Sequence, residues 1–220
     1  MRETTNLTGM VLKATPSGEY DRRLVLLTRE RGKVTAFARG AKRPGNQLMA
    51  VSRPFVFGQF RLFEGRDAYS LQSAEISNYF TELAGDVQAA CYGSYFLELA
   101  DYYCRENVDG TEMLLLLYQS MRALLKPALP DDLVQLVFEL RAMVINGEYT
   151  EHPPRAASDS ATYAWEYIIA SPIESLYTFV LTEEVQRELK ICVDINKKKF
   201  IDREFHSLEI LEMMEFSCRY

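Results

Sequence analysis

Positively charged side chains crowd one stretch of the sequence, and their chemistry suits the binding of phosphate groups. Residues 22–66 hold 11 Lys+Arg and only 2 Asp+Glu. Lysine and arginine neutralise phosphates, and an aromatic ring between cations can stack on an unpaired base. Nine side chains of this stretch are therefore candidate nucleic-acid contacts: Arg22, Arg23, Arg31, Lys33, Phe37, Arg39, Lys42, Arg43 and Arg53.

The net charge of −6 conceals a segregation of charge along the chain. Residues 1–75 carry 13 Lys+Arg and 7 Asp+Glu, whereas residues 76–220 carry 12 and 24. Affinity for phosphate depends on the local field of a patch and not on the total charge. The first part of the chain is thus predicted to contact nucleic acid. Its basic residues lie on predicted strands and a loop. There they would contact the phosphate backbone of the nucleic acid without recognising the base sequence.

Phe37 has two interpretations. Either it stacks on a base, or it faces the core, as aromatic residues in strands usually do. The phenylalanines at 55, 57, 60 and 63 are predicted to lie in the core.

The sequence predicts a protein without catalytic residues. It contains no GxxxxGK[ST], GxSxG or HExxH motif. Adjacent carboxylates such as Asp131 and Asp132 stand at predicted helix starts, where they favour the helix dipole. His152 precedes two prolines in a loop and His206 lies near a helix start, so neither has the setting of an acid–base catalyst.

The four cysteines are Cys91, Cys104, Cys192 and Cys218, and no two of them form a CxxC pair. They are predicted to be free thiols in a reducing cytoplasm, with no bound metal or cofactor. No apolar run is long enough to span a bilayer, and the first residues lack the apolar core of a signal peptide. A membrane association is therefore not expected.

Five short strands are predicted in the first 75 residues, at 7–14, 23–28, 33–39, 55–63 and 68–74. A polar, basic connection that holds Lys42, Arg43 and Arg53 joins the third strand to the fourth, and Gly58 is a predicted bulge. So many short strands without intervening helices indicate a small closed barrel of the OB-fold type.

The hydrophobic period changes to that of helices from residue 75 onward. Helices are predicted at 86–104, 133–145, 163–169, 182–191 and 205–215, and a further one runs from an N-cap within 109–111 through Met113 and Leu124 to a stop at Lys126-Pro127. The predicted fold class is α+β: a five-stranded OB-fold barrel over residues 1–78, followed by an α-helical bundle domain over residues 79–220.

Several of these segments resemble the RecO family of DNA repair proteins. The resemblance is most specific in residues 27–34 and 38–43, and it extends to 9–13, 18–24, 54–55, 71–75, 95–99, 138–141 and 207–211. It implies an OB domain followed by a helical domain, with no known catalytic residues. It also implies binding of single- and double-stranded DNA, annealing of complementary strands coated with single-strand-binding protein (SSB), and loading of RecA together with RecR and RecF.

The resemblance implies roles for particular residues. The family's DNA-binding positions correspond to Arg22, Arg31, Lys33, Arg39, Lys42 and Arg43. The family's helical domain receives the acidic, Phe-ending tail of SSB, which points to a groove near Phe138 and Arg141.

The chain departs from the family at one point. Many members carry a four-cysteine zinc module after the central helices, whereas residues 147–170 contain no cysteine here. We expect no bound zinc, and we expect Tyr163, Trp165 and Tyr167 to fill that volume.

Two other classes of function stay open. One is a protein-interaction adaptor whose basic barrel binds acidic protein tails and never touches DNA. The other is a nuclease, for which no cluster of metal-binding carboxylates stands out.

Overall fold

The computed structural model describes residues 4–66 and 68–217. The chain divides into two compact units. The first comprises the residues up to Thr81 together with Leu97–Leu114, and the second comprises Glu82–Phe96 together with the residues from Leu115 onward. The predicted domain division at residues 78 and 79 stays a prediction.

The first unit is a closed five-stranded barrel, which confirms the predicted fold class. Around the barrel the strands follow the order β1-β2-β3-β5-β4, and only the pairing of β3 with β5 is parallel. Their bounds are β1 Thr4–Ser17, β2 Asp21–Thr28, β3 Gly32–Ala38, β4 Phe57–Glu64 and β5 Tyr69–Asn78. The predicted irregularity at Gly58 is confirmed, because the β4–β5 register shifts between Phe57 and Gly58.

Side chains at alternating positions fill the barrel interior, as the period of a strand requires. Leu24 and Leu26 of β2, Val34 and Ala36 of β3, and Phe60 of β4 belong to this core. The prediction that four phenylalanines are buried was wrong for three of them. Phe60 is fully buried, whereas the phenylalanines at 55, 57 and 63 are half-buried.

A short helix, α1 (Leu48–Val51), interrupts the connection between β3 and β4. Val51 belongs to the barrel core, and Leu48 packs against it. The sequence predicted a polar, basic connection here and no helix, because an apolar run of four residues is too short to show a helical period.

The segment Leu97–Leu114 covers part of the outer surface of the barrel. Two backbone hydrogen bonds join it to the β2–β3 hairpin, Lys33 N–H to Arg105 O at 3.0 Å and Asn107 N–H to Arg31 O at 3.0 Å. Leu27 is fully buried although it lies outside the interior cluster. The segment therefore covers part of this end of the hairpin, and Arg31 and Lys33 still line a cavity of about 200 Å³ beside it.

The predicted helices are confirmed as elements. Their bounds are α2 Val87–Tyr103, α3 Thr111–Leu124, α4 Asp131–Ile145, α5 Asp159–Ala170, α6 Glu183–Phe200 and α7 His206–Ser217. Helix α5 begins four residues before its predicted start, because Ser158 caps it by accepting the Ala161 N–H. Helix α6 ends nine residues after its predicted end, and three lysines in its last turn favour the helix dipole.

Aromatic packing holds the second unit together. The rings of Phe96 and Phe138 stack with their centroids 4.2 Å apart, and Trp165 is fully buried while its indole N–H donates to Thr150 O. Tyr163, by contrast, is 70% exposed, so the prediction that it fills the core was wrong.

Within the described residues, no helix is long and apolar enough to cross a membrane. The cysteines at 91, 104 and 192 are free, and Cys218 lies outside the described residues.

Candidate nucleic-acid interface

The candidate site lies on the outer side of β2 and β3, at the end that Leu97–Leu114 leaves open. Strand β3 alternates along its length: Lys33, Thr35 and Phe37 are half-buried, and Val34 and Ala36 between them are buried. Phe37 therefore points away from the barrel core, and the interpretation of this residue as a core aromatic was wrong.

Arg23 lies beside Phe37 on the neighbouring strand. The two residues are cross-strand partners, and the Arg23 guanidinium donates to Thr35 Oγ1 at 3.3 Å. Arg23 is exposed, as is Arg39, which follows β3 directly. The half-buried Phe37 thus has one exposed arginine opposite it on β2 and another two positions further along its own chain.

Two loops extend this surface. The turn between β1 and β2 contacts the loop after β3 through Lys42 N–H to Tyr20 O at 2.8 Å and through Gly40 N–H to the Asp21 carboxylate at 2.7 Å. The Arg43 guanidinium lies over the Tyr20 ring, 4.6 Å from its centroid. We call the surface formed by Tyr20, Arg23, Phe37, Arg39, Lys42 and Arg43 the basic face.

Tyr20 was not among the residues selected from the sequence. A tyrosine in a turn gives no signal by itself, and only the contact with Arg43 shows its place. A hydrogen bond with Glu19 raises the pKa of the Tyr20 phenol above its ordinary value.

The other predicted arginines and lysines have different surroundings. The half-buried Arg22 donates from one guanidinium nitrogen to Met49 O, Ser52 O and Ser52 Oγ, at 3.1, 3.2 and 3.0 Å. Its guanidinium therefore fixes the end of α1. Arg53 is exposed on the turn that follows α1.

Two further cations of the barrel face carboxylates. The Lys33 ammonium contacts the Asp101 carboxylate at 2.9 Å and also donates to Asp101 O at 2.7 Å. Arg31 lies 4.0 Å from Glu64, and both side chains are exposed. To bind a phosphate, Lys33 would have to break its ion pair with Asp101. Arg31 could bind a phosphate more readily, because Glu64 is more distant from it.

The two residues predicted to line a groove for the SSB tail lie in the second unit. Phe138 is fully buried. The half-buried Arg141 donates to the backbone carbonyls of Ile168 and Ile169. The partner-binding role of this pair stays a prediction.

Outside the basic face, the described titratable groups include a buried ion pair between Lys197 and Glu139 at 2.8 Å and two histidine–carboxylate pairs. His152 contacts Glu166 at 3.0 Å and His206 contacts Glu209 at 3.6 Å, all on the exposed surface. In the described part of the chain, no group of three His, Cys, Asp or Glu side chains could hold a metal ion.

Comparison with known proteins extends over both units. A family model described as "Recombination protein O N terminal" matches residues 1–80, and one described as "Recombination protein O C terminal" matches residues 84–151. Together they cover about two thirds of the 220 residues.

Three relatives named DNA repair protein RecO illustrate the similarity. The protein of Acetivibrio thermocellus is 23% identical over 94% of this chain and 96% of its own length. That of Heliobacterium modesticaldum is 36% identical over 61% of this chain but only 48% of its own length. That of Bacillus subtilis is 29% identical over 72% of this chain and 63% of its own length. The five-stranded barrel, the helices after it and both matched models agree in placing this chain in the RecO family.

Proposed function

We propose that this chain is a non-enzymatic DNA-binding protein that anneals single-stranded DNA through the basic face of its barrel. Membership of the RecO family supports a role in DNA repair. The observation that carries the proposal is the set of exposed cations Arg23, Arg39, Lys42 and Arg43. No carboxylate of the described residues lies within 4.0 Å of these four side chains, so their charges are available to phosphates.

The proposed mechanism is electrostatic. Two DNA strands repel each other, and cations that neutralise phosphates on both lower the barrier to pairing. The same cations compete with other bound proteins for the phosphates of the strands that those proteins cover. The acidic second part of the chain, with 12 Lys+Arg and 24 Asp+Glu over residues 76–220, is repelled by phosphates and is suited to protein contacts.

We extend the proposal to the partners of the family. The chain would bind single- and double-stranded DNA, anneal complementary strands coated with SSB, and assist the loading of RecA together with RecR. The SSB tail would bind to the helical unit.

The test measures how the affinity for DNA depends on salt concentration when three cations of the basic face are removed. A labelled single-stranded oligonucleotide is titrated by fluorescence anisotropy at several salt concentrations, with the variant Arg39→Ala/Lys42→Ala/Arg43→Ala. Each phosphate contact on single-stranded DNA contributes about −0.7 to the slope of log K against log salt, so the variant should lose about 2 units of slope.

A matched control removes the same charge from the helical unit. Arg187, Lys190 and Lys198 are exposed on α6, and their triple substitution by Ala should leave the slope unchanged. If both triple variants kept the wild-type slope, the basic face would not bind DNA. An adaptor that binds acidic protein tails would give no DNA binding in any variant.

A further inference from the structure

Tyr20 stands out because its aromatic ring is exposed in a turn, where the Arg43 guanidinium lies over it and its hydroxyl hydrogen-bonds with Glu19. It lies between β1 and β2, outside both strands, and 40% of the residue is exposed. It belongs neither to the barrel core nor to the side chains packed against that core. Packing in the interior therefore does not explain an aromatic residue at this position.

The turn that carries Tyr20 is held in place from the loop after β3. Its carbonyl accepts the Lys42 N–H at 2.8 Å, and the neighbouring Asp21 carboxylate accepts the Gly40 N–H at 2.7 Å. The Arg43 guanidinium occupies one face of the ring, 4.6 Å from the centroid. The hydrogen bonds fix the backbone of the turn and the Arg43 contact restricts the ring, which lowers the entropy lost when a ligand binds.

The neighbours of the ring determine which ligand it suits. Lys42 and Arg43 are exposed and can hold phosphates next to the ring. Every base has a face on which an aromatic ring can stack, and such a contact is available only when the base is unpaired. Phosphate contacts alone do not separate single strands from duplexes, because both present the same groups.

We propose that Tyr20 is a base-stacking residue of the basic face and gives the barrel a preference for single-stranded over double-stranded DNA. This inference rests on the proposed DNA-binding function. The competing explanation is structural: the ring would only brace Arg43 and the two loops.

The experiment compares a normal oligonucleotide with an abasic one of equal length, which keeps the phosphates and lacks the bases, and with a duplex. Tyr20→Leu removes the ring and keeps an apolar side chain, whereas Tyr20→Phe keeps the ring. Tyr79, which is 43% exposed in the same unit, supplies the matched control Tyr79→Leu.

We expect Tyr20→Leu to weaken binding of the normal oligonucleotide about tenfold, which corresponds to the loss of one stacked base. Binding of the abasic oligonucleotide and of the duplex should stay unchanged, and Tyr20→Phe and Tyr79→Leu should behave as wild type. Equal losses on the normal and abasic oligonucleotides would mean that Tyr20 only positions the cations, and no loss on either would mean no contact; each result overturns the inference. A wild-type protein that binds neither oligonucleotide overturns the proposed function itself.

Discussion

Arg22 and Arg23 are adjacent in the sequence, yet we expect their substitution to have opposite consequences. Arg22 donates to two carbonyls and a hydroxyl at the end of α1, whereas Arg23 is exposed and its guanidinium donates to Thr35 Oγ1. Replacing Arg22 by Met should destabilise the fold. Replacing Arg23 by Met should weaken DNA binding and leave stability nearly unchanged.

The magnitude follows from the groups that lose a donor. Ser52 is fully buried, so water cannot replace the guanidinium at its carbonyl and hydroxyl. A buried polar group without a partner costs about 1–3 kcal/mol, and the Ser52 hydroxyl can still donate to Met49 O at 3.4 Å. The Ser52 carbonyl has no such alternative partner, so the expected loss in the free energy of unfolding is about 1–3 kcal/mol.

Urea unfolding followed by circular dichroism measures this loss, with Arg23→Met as the matched control. Methionine keeps part of the apolar stem at both positions, so the comparison isolates the guanidinium. We expect a lower midpoint for Arg22→Met and an unchanged midpoint for Arg23→Met. Equal midpoints for Arg22→Met and wild type would refute the assignment of Arg22 to the support of α1.

Two further predictions concern carboxylates. Asp101→Asn should release Lys33 from its ion pair, which tightens binding of single-stranded DNA and steepens the salt slope by about 0.7; an unchanged slope in anisotropy titrations would exclude Lys33 from the interface. Burial, helped by the charges of Asp86 and Asp132, raises the pKa of Asp131 to about 6, above its value in the unfolded chain. Ionisation is thus less favourable in the folded state, so stability should rise as the pH falls from 7 through 6 towards 4. Asp131→Asn should flatten this dependence and raise stability at pH 8 by less than about 1 kcal/mol, because solvent screens the half-buried group. Urea midpoints at pH 4, 6 and 8 test this, and parallel pH profiles for variant and wild type would contradict it.

The sequence was sufficient to predict the barrel and the helices because both depend on periodicity. Alternation in β3 placed Lys33, Thr35 and Phe37 on one side, and the structure has the same arrangement. A period of two cannot show which side faces inward when an aromatic residue lies on the polar side. Phe37 was therefore left with two interpretations, and only the buried alanines on either side of it decided between them.

Contacts between residues distant in sequence were beyond prediction. Arg22 and Ser52 are 30 positions apart, and Lys33 and Asp101 are 68 apart. Nothing in the local composition distinguishes an arginine that supports a helix from one that faces solvent. The charge count of residues 22–66 therefore predicts a basic site in this part of the chain, but it does not show which cations are available to a ligand.

The position of Leu97–Leu114 explains why the side chains of β3 become more available to a ligand along the strand. Leu97–Leu114 lies against the hairpin near Gly32 and Lys33 and brings Asp101 to the lysine. Four residues further along β3, Phe37 is half-exposed, and a strand advances about 3.3 Å per residue. The open part of the strand thus begins about 13 Å from the covered part, beside the loops that carry Tyr20 and Arg43. A ligand at the open end would first contact the cations that have no carboxylate partner. Lys33 would bind the ligand only if the ligand displaced Asp101.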